Sequence, residues 1–315
     1  MNKSNIQIKT YKQQYLSQII EGWNRTLIYD PISDDRFIDM ILLDENFDEN
    51  LTFVALDEDQ VVGFLLGMKR KVPYLSRGLE EKKAWISVMY VVQEYQGQGI
   101  GKELLHRITD IFKEKGTEEI ILCAYSPNYF TPGIDVRYGK AVEFFERNGY
   151  RKTDEAVSMQ RDLWDYVLPE TEQERVKELY EQGIAFVSYR EDYREKLLQF
   201  ITAEFDGGWK RNVLIAMQKR IAEETIILCL EQDEVIGFCM RKIDGLDSRF
   251  GPIGIMSSKR NMHLGSTLMS LMMYDMKKRG VYYLYFLWTS GNAIRFYERL
   301  GLSTYRRYQM FRKEV

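Results

Sequence analysis

The chain has 315 residues, 45% of them hydrophobic and 29% charged, with a formal net charge of −3. That length suits two domains, and the composition is that of a folded globular protein rather than a disordered one. Lys and Arg are scattered instead of clustered, which argues against a nucleic-acid partner; no stretch approaches the roughly 20 apolar residues that span a bilayer, and the N-terminal segment lacks the apolar core of a signal peptide, so the cytoplasm is the expected location.

In chain order, Tyr11–Glu21 and Asp34–Leu43 have helical apolar spacing. Leu51–Leu56 and Val61–Met68 read as two strands joined by a polar hairpin, and Ala84–Val92 as a third. Over Gln98–Lys115, Ile100, Leu104, Leu105, Ile108, Ile111 and Phe112 recur at helical period, and Gly116 follows as a stop. A strand over Glu119–Ala124, a short helix over Gly139–Asn148 and a last strand over Ala156–Gln160 complete this half. Glu170–Gln182 is polar and helical in character, a linker or the first edge of a second domain. The second half predicts a start near Gly183–Tyr189, a helix at Tyr193–Glu204, strands at Thr225–Leu230, Val235–Met240 and Gly251–Met256, a long helix at His263–Arg279, a strand at Tyr282–Leu287 and a short helix at Asn292–Arg299. Cys123, Cys229 and Cys239 each lie in or beside an apolar strand-like run and read as buried thiols, not as a disulfide framework. With only His106 and His263 beside them, they offer no credible zinc ligand set.

These halves are two copies of one plan. VVGFLLGM, WISVMYVV, QGQGIGKELL and AVEFFERNGY of the first answer to VIGFCM, GIMS, RNMHLGSTLM and AIRFYERLGL of the second. Gly63 and Gly237 lie 174 positions apart, Gly101 and Gly265 164, Gly149 and Gly301 152. The shrinking offset marks extra residues in the first copy near Lys69–Lys83 and at Ser126–Arg137, where loops diversify binding surfaces. We therefore expect domains over 1–168 and 169–315.

The richest local pattern is Val91–Leu105, VVQEYQGQGIGKELL. A strand ends, three glycines fall at alternate positions and a helix begins. Glycines allow close backbone approach, and freed N–H groups at a helix N-terminus cradle phosphate oxygens, with Lys102 adding charge at the rim. It is neither GxxxxGK[ST], since Lys102 is followed by Glu103, nor GxGxxG, since Lys102 stands where the third glycine belongs.

With Gln96, Gly99 and Gly101 matching [QR]xxGx[GA], and FFERNGY similar to FYxxxGF, the chain resembles the GCN5-related N-acetyltransferase (GNAT) superfamily over nearly its whole length, as two tandem copies. The resemblance implies an α/β (α+β) fold: two GNAT domains, each a mixed, mostly antiparallel sheet flanked by helices. It implies that the loop Gln96, Gly97, Gln98, Gly99, Ile100, Gly101 and Lys102 holds the pyrophosphate of acetyl-coenzyme A, and that a splayed strand edge including Met89 and Val91 pairs with the pantetheine arm. In the second copy Ile255, Arg260 and Gly265 fall on the corresponding positions, but His263 replaces Gly99 and brings a side chain where backbone should meet phosphate.

The resemblance also implies a tyrosine on the short helix as acid for the leaving thiolate. Tyr297 matches it; the first copy has Phe145, which has no proton to give. Either the second domain transfers the acetyl group with Tyr297, or the first does so by proximity or with Tyr129, Asp135 or Tyr138 of its insertion. The tandem arrangement is similar to bacterial glucosamine and glucosaminide N-acetyltransferases, although such relatives carry Asp-Trp-Thr where this chain has Leu287-Trp288-Thr289. The expected activity is acetyl transfer from acetyl-CoA to a primary amine of a small molecule, an amino sugar among them. A peptide, protein or aminoglycoside amine is the alternative, and an acyl-CoA-binding scaffold without turnover the third. No metal, nucleic-acid or membrane partner is expected, and a homodimer is left open.

Overall fold

The computed structural model describes residues 6–205, 207–260 and 262–315. Its strands and helices in chain order are β1 (Ile6–Thr10), α1 (Leu16–Thr26), α2 (Asp34–Phe37), β2 (Thr52–Asp57), β3 (Gln60–Met68), β4 (Lys83–Val91), α3 (Ile100–Glu114), β5 (Glu119–Leu122), β6 (Ile134–Asp135), α4 (Gly139–Arg147) and β7 (Arg151–Asp162). There follow α5 (Glu170–Glu181), β8 (Ile184–Ser188), α6 (Arg194–Glu204), α7 (Gly207–Gln218), α8 (Ala222–Thr225), β9 (Ile226–Glu231), β10 (Glu234–Arg241), β11 (Phe250–Ile255), α9 (Leu264–Lys278), β12 (Tyr283–Thr289), α10 (Asn292–Arg299) and β13 (Ser303–Glu314).

Two compact units emerge: Met1–Ala156 with Arg307–Val315, and Val157–Arg306; residues 1–5 lie outside the described residues. No single cut near residue 168 produces this division. Residues 157–162 of β7 belong to the second unit, where they pair with β12, and the end of β13 belongs to the first, where it pairs with β5 and β6. The first unit is thus completed by the chain's last strand, and the second begins inside β7. The sequence pattern predicts a last strand of the first half at Ala156–Gln160 and none at Ser303–Glu314, whereas β7 runs from Arg151 to Asp162 and β13 follows.

In the first unit, β1, β2, β3 and β4 form an antiparallel meander, and β5 joins β4 in parallel. The expected stripe on α3 is its buried face: Ile100, Leu104, Leu105, Ile108 and Phe112 turn inward. The helix stops as expected. Gly116 takes φ 74°, its N–H bonds to the carbonyl of Lys113, and Thr117 N–H reaches that of Phe112, a Schellman closure that glycine adopts without steric penalty. The expected helix at Asp34–Leu43 is shorter, four α-helical residues capped by the Ser33 hydroxyl and then a π turn over Ile38–Leu42.

The second unit repeats the meander as β8, β9, β10 and β11. Met269, Met272, Met273 and Met276 of α9 are buried against it, so the methionine-rich run is core filler. Helix α7 was not foreseen; its apolar residues follow no clean 3.6-residue stripe, and Val213 and Ala216 are its buried members. Cys229 and Cys239 are buried strand thiols, and Cys123 is partly buried just beyond β5.

Candidate active site

A gap opens in the first unit between two neighbouring strands. The β4–β5 ladder ends at Ile86 and Leu122, yet β4 continues to Val91. Opposite β3, Gly63 and Leu65 face Val91 and Met89, and the bond from Val92 N–H to the Val62 carbonyl (3.0 Å) makes these the non-hydrogen-bonded pairs of the ladder. The backbone groups of Met89 and Val91 therefore point away from β3, into the gap. A register shift between Ile86 and Val88 puts Ser87 at a bulge where the strands part; its buried hydroxyl has no partner among the described residues.

Directly after β4 comes the glycine loop. Gly97 (φ 76°) and Gly99 (φ 88°) both occupy the left-handed region, and Gly99 is the N-cap of α3. A Cβ at either would meet no protein atom within 4 Å, so their requirement is conformational and the space beside them is open. Gly101 is different: a Cβ there would press on Met89 and Phe144 at 3.3 and 3.4 Å. Gln96 folds back to donate from Nε2 to the Val91 carbonyl (2.8 Å), and Gln98 Nε2 donates to that of Glu94 (3.2 Å). Glu103 N–H takes the Gly99 carbonyl, while the amides of Ile100, Gly101 and Lys102 precede the first intrahelical bond and point out of the helix start. A helix N-terminus, a left-handed loop and a free strand edge in sequence suit a long ligand with an anionic end and an amide-bearing arm.

The second unit carries the same backbone. Met256 N–H bonds to the Ile236 carbonyl (2.8 Å), so Ile255 faces away from β10 as Val91 faces away from β3. The parallel contact between β11 and β12 is reduced to a bridge between Arg249 and Tyr285. His263 keeps the left-handed N-cap of α9 at φ 59° and is exposed. Gly265 has ordinary clearance to Ile255 and Phe296 (3.7 Å). Arg260 is exposed and makes no bond like that of Gln96 among the described residues. Tyr297 is half-buried on α10, its ring 4.5 Å from Phe286 and 5.0 Å from Phe296, and its hydroxyl has no hydrogen-bond partner among the described residues. Burial, with the nearby Cys239 thiol adding to it, holds that hydroxyl well above the ordinary tyrosine range. Trp288 lies exposed at the end of β12. Phe145, the counterpart of Tyr297, is buried against Phe144 and Tyr150 at 5.2 and 5.3 Å.

One polar cluster went unforeseen as a unit. The hydroxyl of Tyr138, N-cap of α4, donates to Asp30 Oδ2 (3.0 Å) and accepts from Tyr29 N–H (2.9 Å). Asp135, 2% exposed, takes Arg137 through two bonds of 2.9 and 2.6 Å, and the Arg137 guanidinium lies 3.8 Å over the Tyr29 ring. Tyr138 and Asp135 were candidates from the insertion; Asp30 and Tyr29 lie about 108 residues away and carry no local signal. Among the described residues no group of three or more His, Cys, Asp or Glu gathers as a metal site, and no helix is long and apolar enough to cross a membrane.

A splayed strand pair, a left-handed loop on the long helix and a short helix leaning over the gap, built twice, define a tandem acyltransferase fold. The chain belongs to the acetyltransferase (GNAT) family, whose model matches residues 16–150 and again 171–302. Among solved structures it is similar to the GCN5-related glucosamine N-acetyltransferase region of a fungal multi-domain GH3 beta-N-acetylglucosaminidase, at TM-score 0.80 and 22% identity, over 98% of this chain and 38% of that one. It is also similar to a tandem GNAT protein from the clavulanic acid biosynthesis pathway, at TM-score 0.65 and 13% identity, over 98% of both chains. At these identities the likeness is one of fold. The N-alpha-acetyltransferase 30 of Schizosaccharomyces pombe is 32% identical over 99 residues, which are 31% of this chain and 56% of that protein. The match thus spans about half the length of that curated relative.

Proposed function

We propose that this chain transfers the acetyl group of acetyl-CoA to the primary amine of a small molecule, with amino sugars the first class to test. The observation that carries this reading is the alignment of the free β4 edge with the left-handed loop in the first unit. Acetyl-CoA brings the thioester, the activated acetyl group that an amine can take up. Gln96, Gly97, Gln98, Gly99, Ile100, Gly101 and Lys102 would hold its phosphates, and Met89 and Val91 would pair with its amide-bearing arm. Ile255, Arg260 and Gly265 are the corresponding positions of the second unit, where Tyr297 is our candidate proton donor. Its raised pKa keeps the hydroxyl protonated at neutral pH, the state a donor needs. The fold likeness to a glucosamine N-acetyltransferase region supports the amino-sugar class.

A second reading, acetylation of a peptide or protein amine, is favoured by the similarity to an N-alpha-acetyltransferase. Coenzyme A release measured with glucosamine, a glucosaminide, an aminoglycoside and short peptides separates the two. Release above background with sugars alone supports the first reading; peptides alone would replace it. No release with any amine, together with tight acetyl-CoA binding, would leave an acyl-CoA-binding scaffold.

A further inference from the structure

We infer that Ser87 is the first unit's own hydrogen-bond donor to the thioester carbonyl oxygen of acetyl-CoA, at a position where the second unit has glycine. This deepens the proposed function and rests on it. The parallel ladder between β4 and β5 ends at Ile86 and Leu122, closed by the bond from Cys123 N–H to the Ile86 carbonyl (2.9 Å). Beyond that bond the chain turns left-handed at Cys123 (φ 56°) and Ala124 (φ 48°). Ser87 is therefore the first residue of β4 past the last rung, at the vertex of the gap. On the other side β3 skips it: Leu66 faces Val88 and Gly67 faces Ile86, so Ser87 is the extra residue of a bulge. It is 7% exposed, and its buried hydroxyl has no partner among the described residues.

This position matches the ligand that the gap suits. The anionic end belongs at the loop after β4, and the amide-bearing arm runs back along the free edge through Val91 and Met89. Two residues further on, where the closed ladder ends the gap, stands Ser87, so the reactive end of the arm comes to that residue. A buried hydroxyl with nothing to bond is destabilising, and a carbonyl oxygen brought to the vertex supplies the acceptor it lacks. A buried donor fixed there also meets the charge that gathers on that oxygen under attack. The amine nitrogen bonds the carbonyl carbon, the C–S bond breaks with its electron pair on sulfur, and the proton the amine gives up ends on the coenzyme thiol; Ser87 keeps its own proton throughout.

The second unit has the same bulge without the hydroxyl. Cys239 faces Ile253 and Arg241 faces Phe250, with Gly251 and Pro252 between. Counted from Phe250 as Ser87 is from Ile86, Gly251 takes the place of Ser87, and a Cβ there would meet no protein atom within 4 Å. The two units thus place their hydroxyls on different elements: Tyr297 on α10 in the second, and Ser87 on β4 in the first, where α4 has Phe145.

The test is difference infrared spectroscopy of bound acetyl-CoA labelled isotopically at the thioester carbonyl, with affinities for acetyl-CoA and coenzyme A from calorimetry. In the wild type the carbonyl band should lie below its position in free solution. Ser87→Ala should move it back toward that position, weaken acetyl-CoA about threefold or more, and leave coenzyme A, which lacks the carbonyl, within twofold. Its kcat should fall about tenfold or more with KM for the amine within twofold. Ser87→Thr, which keeps the hydroxyl, should keep the shifted band. Because the hydroxyl bonds nothing in the free protein, Ser87→Ala should not lower the melting temperature, whereas loss of a packing residue would. An unmoved band with unchanged discrimination between the two ligands, at whatever stability, overturns the inference while the transferase reading stands. Wild-type protein that neither binds acetyl-CoA nor releases coenzyme A with any amine overturns both.

Discussion

Gly99 and His263 hold one backbone conformation with two different side chains: each caps its long helix from the left-handed region, at φ 88°, ψ −8° and φ 59°, ψ 8°. The second unit has the backbone shape of the glycine loop with a residue for which that shape is strained. Histidine is among the non-glycine types that tolerate the region, which explains how His263 holds that shape.

Exchanging the two residues separates shape from access. Gly99→His has no protein atom within 4 Å of its new Cβ, so its folding cost is backbone strain of about 1–2 kcal/mol. His263→Gly removes such strain but adds unfolded-chain freedom of roughly 0.5–1 kcal/mol, so its net stability change is within about 1 kcal/mol. Titration calorimetry with acetyl-CoA should show weaker binding in the first variant and tighter or additional binding in the second. An unchanged site count and affinity in both would remove the glycine loops from the cofactor assignment.

Tyr297 carries a second expectation. Its pKa is raised by burial, so its proton stays in place up to and beyond pH 10. If it protonates the leaving thiolate, kcat/KM should climb with pH as the amine loses its proton and should then hold level, with no alkaline limb below about pH 10. Tyr297→Phe should lower kcat about 100-fold or more with little change in KM for acetyl-CoA. A rate that is unaffected, with the cofactor bound in the first unit alone, would make Tyr297 a packing residue against Phe286.

How far the sequence carried these conclusions depends on the distance between interacting residues. The loop from Gln96 to Lys102, the stripe on α3 and the glycine stops were legible because each is set by local backbone rules. The strand Ser303–Glu314 was not: its residues Tyr308 and Phe311 are buried amid a run of charges, STYRRYQMFRKE, that weakens the alternating pattern. Which unit it completes is a question of pairing across nearly 200 residues, as between Arg312 and Ile121. The Asp30–Tyr138 bond is hidden for the same reason. At β5 the expected strand ran two residues too far, because nothing local announces the left-handed turn at Cys123 and Ala124.

The first unit also has a predictable alkaline limit. Burial raises the pKa of Tyr90, Tyr125 and Tyr150 above the ordinary 10.0, and at Tyr125 the Asp44 charge adds to it. Tyr90 donates to the Ile19 carbonyl (2.7 Å), and the Tyr150 hydroxyl is buried with no partner among the described residues. A pKa raised in the folded state leaves stability intact below pH 10. Above it the unfolded chain loses protons that the fold retains, and each tyrosine lowers stability by up to about 1.4 kcal/mol per pH unit. Urea melts at pH 8, 10 and 11 should show little change over the first interval and a sharp fall over the second, and Tyr150→Phe should soften the fall. A constant midpoint through pH 11 would contradict this.

The amino-sugar class is open to a gain-of-function test at Leu287. It is half-buried at the end of β12, next to Phe286, whose ring meets Tyr297, and its carbonyl accepts the Ser158 hydroxyl (2.9 Å). The resemblance to amino-sugar transferases implies an aspartate at this point, before Trp-Thr. A carboxylate here would attract the sugar ammonium and accept its proton, whereas leucine offers only apolar contact. Because backbone and neighbours are already fixed by Ser158 and Phe286, Leu287→Asp alters the chemistry of the position more than its geometry. If the second unit is the amino-sugar transferase, the variant should raise kcat/KM for glucosamine about tenfold or more, and a further Tyr297→Phe change should abolish the gain. A variant that folds with an unchanged melting temperature yet gains nothing would move the amino-sugar chemistry out of the second unit.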